Sequence, residues 1–247
     1  MALLISLLLP GQMWPSPGPG HASYFACGGA SLPTVRAVGT VVSSTNAVTP
    51  GIPSGDADGD LLVMACETAD TANTTAAGWL DVPGSPVSNS ATTRLTLLYK
   101  ISTTGVDESV TNDAGNHQIC RIIGITVGTF CSEPFGQYNE NTQTTTTSVS
   151  ISGVTTTINN ALVLSFSSGE LPDADSTTEF SSPANTDLGS VTERMDNCTS
   201  AGTGGTGGGC LVLISGTKDS LGTVGATTTT AANTATRANA MVVINGP

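Results

Sequence analysis

The sequence predicts an all-β protein: a two-sheet antiparallel β-sandwich, jelly-roll-like, with an extended N-terminal arm. Three observations predict it. From about Val35 onward, short apolar or alternating runs are divided by clusters of Gly, Pro, Asn, Asp and Ser, the texture of strands and turns. No window carries a sustained helical period with caps. Ser and Thr supply roughly a quarter of the chain, and β-branched Thr suits the solvent face of a pleated sheet. At 247 residues the chain matches the roughly 200–250 residues over which such sandwiches form one domain.

The first 34 residues are read as the arm and residues 35–247 as the sandwich. The arm opens on Met1-Ala-Leu-Leu-Ile-Ser-Leu-Leu-Leu-Pro10, which mimics the apolar part of a signal peptide but lacks its positive start. It also falls far short of the ~20 apolar residues that span a bilayer, so no membrane partner is expected. Leu3, Leu4, Ile5, Leu7, Leu8, Leu9 and Trp14 are therefore expected to anchor the chain on its own domain or on a neighbouring subunit. Between Pro10 and Gly20, four prolines with interspersed glycines exclude helix and favour an extended path.

Strands are expected at Val35–Ser43, Asp60–Glu67, Thr93–Ile101, Ile119–Val127, Ser148–Val154, Ala161–Ser167, Cys210–Ser215, Val224–Thr230 and Ala240–Ile244. Thr147-Ser-Val-Ser-Ile-Ser152 alternates, with Val149 and Ile151 toward a core. Leu61-Leu-Val-Met-Ala65 and Ala161-Leu-Val-Leu164 are continuous, as in central strands covered on both faces. The Thr runs at 144–147, 155–157 and 227–230 follow no short fixed period, so strand propensity accounts for them better than an ice-binding solenoid.

Composition excludes partners as well. Lys and Arg number 7 against 19 Asp and Glu, a formal net charge of −12. Seven scattered cations cannot build the basic face that a nucleic acid requires. Cys27, Cys66, Cys120, Cys131, Cys198 and Cys210 form no CxxC, and neither His21 nor His117 lies beside a close Cys pair, which argues against zinc. Buried thiols and disulfides remain alternatives. If bridges form, Cys198 with Cys210 is the first expectation and Cys120 with Cys131 the second.

Asp56-Ala-Asp-Gly-Asp60 places alternate carboxylates as a calcium loop would, and Glu67 falls at the twelfth position. Leu61 stands where such a loop needs Gly, and a buried strand follows, so a solvated turn is expected over a calcium site at Asp56, Asp58 and Asp60. Gly202-Thr-Gly-Gly-Thr-Gly-Gly-Gly209 precedes a strand and lacks Gly-Lys-Ser/Thr, so it is no phosphate cradle. There is no Gly-x-Ser-x-Gly elbow, and His117 reads as structural. Trp79 is expected to cover a sheet edge or the core. Asn73-Thr-Thr and Asn197-Cys-Thr match the glycosylation sequon. No cofactor and no catalytic residue is assigned.

The order of segments carries a resemblance. Ile52-Pro-Ser-Gly-Asp-Ala-Asp-Gly-Asp-Leu-Leu-Val-Met64 leads to Ala77-Gly-Trp79, Arg94-Leu-Thr-Leu-Leu-Tyr-Lys-Ile-Ser102 and His117-Gln-Ile-Cys-Arg-Ile-Ile-Gly-Ile125. Val154-Thr-Thr-Thr-Ile-Asn-Asn-Ala-Leu-Val-Leu-Ser-Phe166, Gly208-Gly-Cys-Leu-Val-Leu213, Gly222-Thr-Val-Gly-Ala-Thr-Thr-Thr-Thr230 and Ala238-Asn-Ala-Met-Val-Val-Ile244 complete it. This succession resembles a loose group of β-sandwich proteins of tailed-phage virions and some bacterial surface proteins. The six cysteines and residues 1–34 depart from that pattern.

The resemblance implies a non-enzymatic structural component on the outer surface of a phage particle. A capsid decoration (cement) protein is the leading expectation, bound to the major capsid protein or other virion proteins, with a trimer favoured. A tail or fibre receptor-binding module or adhesin is the alternative, and a polysaccharide hydrolase the third. An arm reaching neighbouring subunits gains affinity through linked contacts, and an acidic, cation-poor surface resists association with enclosed DNA.

Overall fold

The computed structural model describes residues 32–69, 74–103, 110–112 (backbone only), 117–127, 134–171, 178–200 and 208–246. The expected anchoring residues Leu3, Leu4, Ile5, Leu7, Leu8, Leu9 and Trp14 lie outside them. The first half of the chain supplies β1 (Thr34–Val38), β2 (Val42–Ser44), β3 (Leu61–Ala69), β4 (Thr74–Ala76), β5 (Leu80–Asp81), β6 (Val87–Asn89), β7 (Thr93–Ile101), β8 (Val110–Asn112) and β9 (Gln118–Thr126). The second half supplies β10 (Phe135–Ile151), β11 (Val154–Thr156), β12 (Ala161–Leu171), β13 (Phe180–Ala184), β14 (Gly189–Thr199), β15 (Gly208–Lys218), β16 (Gly222–Val224) and β17 (Thr227–Ile244).

Two antiparallel sheets form a β-sandwich. The first runs β1-β9-β3-β7-β5, with β2 also on β9 and β6 also on β7. The second runs β10-β17-β12-β15-β14, with β13 also on β17. Each half of the chain therefore builds one sheet, and the halves meet face to face. The small ladders β4–β8 and β11–β16 stand apart from both.

The continuous apolar runs are explained by cover on both faces. In β3, Leu61, Val63 and Ala65 point between the sheets, while Leu62, Met64 and Cys66 join an outer cluster with Trp79, Leu98, Cys120 and Ile122. In β12, Leu162, Leu164 and Phe166 point between the sheets, while Ala161 and Val163 join Val212, Ile214, Met241 and Val243 on the far side. Strand period two divides one apolar run between two cores. Trp79 is buried in the outer cluster, with Lys100 Nζ 5.5 Å from its ring centroid.

β17 is the spine of the second sheet. Its end pairs with the start of β10 (Gln143↔Arg237 through Phe135↔Ile244) and with β12. Its start, Thr227–Thr230, pairs with Ser148–Ile151 of β10, and Thr228, Thr230 and Ala231 pair with β13. Register shifts between Gln143 and Ser148 mark where β10 breaks step with β17.

Side-chain amides bind the two ends of β10 together there. Asn139 Nδ2 donates to Gly153 O at 2.7 Å, and Asn141 Nδ2 donates to Ser150 O at 3.0 Å while its Oδ1 accepts from Ser152 N at 2.8 Å. Gln143 repeats the pattern with Ser148 O at 3.1 Å and Ser150 N at 2.9 Å. Alternate amides thus act as a substitute strand and satisfy a backbone edge that would otherwise be open to another chain.

Among the described residues, two disulfides tie neighbouring strands. Cys198 is bonded to Cys210, its directly opposed residue across β14 and β15. Cys120 is bonded to Cys66 rather than to Cys131, which corrects the second expected pairing. The reason is register: Cys66 and Cys120 face each other across β3 and β9 with Cα atoms 4.2 Å apart, the close spacing of a non-hydrogen-bonded antiparallel pair. Cys27 and Cys131 lie outside the described residues.

Candidate functional site

The Asp-rich turn is a structural corner. Asp60 is buried and takes Arg36 Nε at 2.5 Å and Nη2 at 3.1 Å, and accepts Ala57 N at 3.1 Å. Asp56 Oδ2 accepts Ser102 Oγ at 2.5 Å, and Asp58 is exposed. Arg36 supplies the positive charge that a cation would bring, and its own pKa is raised by that hydrogen bond with Asp60. Asp56, Asp58 and Asp60 therefore do not converge as ligands. Among the described residues no group of three or more His, Cys, Asp or Glu side chains could hold a metal.

Between the sheets lies an acid–imidazole cluster. Glu67 (0% exposed) and His117 (1%) share a hydrogen bond of 3.1 Å between Oε2 and Nε2. Thr93 Oγ1 donates to Glu67 Oε1 at 3.1 Å and lies 3.2 Å from Ser168 Oγ on the opposite sheet. Gly209, also from the opposite sheet, packs so closely that a Cβ there would overlap Glu67 Oε2 and His117 Nε2. Burial raises the Glu67 pKa, hydrogen bonds from His117 and Thr93 oppose the rise, and the charge of Glu170 adds to it.

This order of groups does not suit nucleophilic catalysis. In a triad the imidazole stands between carboxylate and hydroxyl and takes the hydroxyl proton. Here the Glu67 carboxylate stands between His117 and Thr93, and Gly209 closes the approach. The cluster is a polar latch across the sandwich. Nothing local in the sequence joins Glu67 to His117; their meeting depends on the β3–β9 register.

A second charged cluster braces β17. Glu179 Oε1 accepts Asn233 N at 2.8 Å and Oε2 accepts Asn233 Nδ2 at 3.0 Å. Arg237 Nη2 donates to Glu179 Oε1 at 3.4 Å and to Asn233 O at 3.1 Å, and its guanidinium carbon lies 4.9 Å from the Phe180 ring centroid. Arg237 and Glu179 are both sealed from solvent. Burial lowers the Arg237 pKa, and the Glu179 charge opposes that. Asp196 accepts the backbone N–H groups of Glu179 and Phe180 at 3.0 and 2.9 Å, fixing the acid in place. Arg237 and Glu179 are 58 residues apart, and nothing local in the sequence announces the pair.

Arg121 links the sheets at their margin, donating to Gly39 O at 2.7 Å and to Asn197 Oδ1 at 2.6 Å. Of the two sequons, Asn197 is thus engaged through its side chain and sits beside a bridged Cys198, while Asn73 lies outside the described residues.

An open groove of about 500 Å³ runs between the start of β10 and the β11–β16 ladder. Tyr138, Gln137, Thr155 and Thr223 stand along it, over a floor that includes Val154 and Val224. Compared with known protein families, curated proteins and solved structures, the chain matches none.

Proposed function

We propose that the chain is a non-enzymatic structural protein of a tailed-phage particle, a decoration protein that binds the capsid surface and stabilises it. The observation that carries the reading is bracing in every layer. One disulfide lies under the outer face of the first sheet and the other under that of the second, and the Glu67–Thr93–Ser168 latch joins the sheets between them. Such disulfides persist in the oxidising surroundings of virion and cell surfaces. The acidic, cation-poor composition suits a face turned to solvent and away from packaged DNA. Residues 1–34 are the proposed attachment to the major capsid protein or to a neighbouring copy, in a trimer at a capsid three-fold position.

The test is depletion and return. Particles lacking the protein should release their DNA at a lower temperature than complete particles, and adding the purified chain back should restore the difference. Equal release temperatures refute the cement role. One observation favours a second reading, a receptor-binding module of tail or fibre: the open groove beside Tyr138 offers a surface for recognition.

A further inference from the structure

We infer that residues 3–9 of the isolated chain dock on their own sandwich, at the open margin between β5 and the start of β10. Docking there is a property of the free chain and does not depend on a place in a particle. Among the described residues four large hydrophobic side chains are exposed: Leu80 (60%), Ile101 (40%), Tyr138 (48%) and Leu221 (61%). The first three belong to one margin. Ile101 opposes Leu61 and Leu80 opposes Tyr99, so both share the between-sheet face with the core residues of β3 and β7. Tyr99 meets Phe135 edge-on, with ring centroids 4.7 Å apart. Phe135 and Tyr138 oppose Ile244 and Val242, which sets them on the between-sheet face of the second sheet, and the Tyr138 ring lies against Gly84. β5 and β10 are end strands of their sheets, and β5 is only two residues long. The apolar layer between the sheets therefore runs out to solvent here.

Residues 3–9 fit that margin in composition and in reach. Six of the seven are Leu or Ile, and residues 1–35 contain no Asp, Glu, Lys or Arg. Such a run is driven to apolar cover. Asp81 and Glu140, the acidic neighbours along the two strands, are exposed, so an uncharged segment meets no repulsion where an acidic one would. The arm leads into β1, and Val35 lies in one row with Ile125, Leu61 and Ile101. Three strand spacings, about 14 Å, separate its entry from Ile101, and Leu80 lies one strand beyond. Leu32 is half-buried and Pro33 buried, so the chain enters along the body of the sandwich. The 22 residues between Leu9 and Leu32 can extend to roughly 70 Å, several times the distance required. A tether of that kind gives an effective concentration on the order of millimolar, which favours the chain's own segment over that of a second copy.

The experiment is amide hydrogen exchange on the full purified chain, read by mass spectrometry at several protein concentrations. Residues 3–9 should exchange slowly, and to the same extent at each concentration. In the double variant Leu80→Asp, Ile101→Asp their exchange should quicken roughly tenfold or more, while β3 and β12 keep the parent's protection and so report an intact sandwich. The reciprocal double variant, Leu7→Asp with Leu8→Asp, leaves the sandwich sequence untouched. It should free residues 3–9 and quicken exchange in β5 and at the end of β7. Residues 3–9 exchanging as an unstructured peptide in the parent overturn the inference. So does protection that the Leu80 and Ile101 substitutions leave unchanged, or protection that grows with protein concentration, which marks a second copy as the occupant.

Discussion

Replacing Cys66 and Cys120 together by alanine removes a cross-link closing a loop of 54 residues, whereas replacing Cys198 and Cys210 removes one closing a loop of 12. Both bridges join directly opposed residues on adjacent strands, so the folded geometry of the two sites is alike and the difference lies in the unfolded chain. The loop-closure relation gives about 4 kcal/mol at 25 °C for the longer loop and about 3 kcal/mol for the shorter one. Urea unfolding followed by far-UV circular dichroism measures both double variants against the parent. The C66A/C120A pair should lose about 1 kcal/mol more than C198A/C210A, and the slope against urea should rise in both as the unfolded chain expands. Reversed order, or losses well under about 1 kcal/mol for both, would refute the account of the bridges as restraints on the unfolded chain.

Other consequences follow from the buried charges and the close approaches. Glu179→Ala leaves Arg237 buried without its carboxylate, and urea unfolding should show a loss of about 3–5 kcal/mol; a loss near zero contradicts the brace assigned to β17. Gly209→Ala drives a Cβ into Glu67 and His117, and the same assay should show about 1–3 kcal/mol of overpacking cost. The folded-state pKa of Glu67 is raised by burial. Its contribution to stability is therefore fully present below the unfolded carboxyl's pKa and is lost as pH rises through the folded one. Unfolding midpoints measured between pH 4 and 8 should fall with pH less steeply in Glu67→Gln than in the parent, and parallel curves refute the assignment. Phe166, wholly buried between the sheets, should cost about 3–5 kcal/mol on truncation to alanine.

The strands legible in sequence are those that build cores. Thr93–Ile101 forms β7 with the bounds its pattern implies, and the runs at Leu61 and Ala161 are central strands because both of their faces meet apolar neighbours. Edge strands were harder to see. β14 reads Gly-Ser-Val-Thr-Glu-Arg-Met-Asp-Asn-Cys-Thr, and only its Met195 and Thr199 are buried, so there is little apolar period to detect. The first two thirds of β10 are polar because their side chains face solvent or bond to Ser148–Gly153. Val224–Thr230 and Ala240–Ile244 read as separate strands because the polar stretch between them hides the continuity of β17, which rests on Glu179 and Asn233. Site geometry was less legible still. Proximity along the chain pairs Cys120 with Cys131, whereas the β3–β9 register sets it opposite Cys66. The Asp turn is expected as a solvated turn rather than a calcium site, and what the sequence does not show is that Arg36, 24 residues before Asp60, pairs with the buried Asp60 carboxylate. Tyr138 carried no signal, since its exposure and its contact with Gly84 exist only in the folded chain.

The proposed role is tested most directly by a cryo-electron microscopy reconstruction of the intact particle, with this chain labelled at its C-terminus. Sandwich-shaped density is expected outside the capsid shell at three-fold positions, with the label on it and a narrow connection from residues 1–34 to the shell. Label confined to the tail, or absent from purified particles, would contradict it.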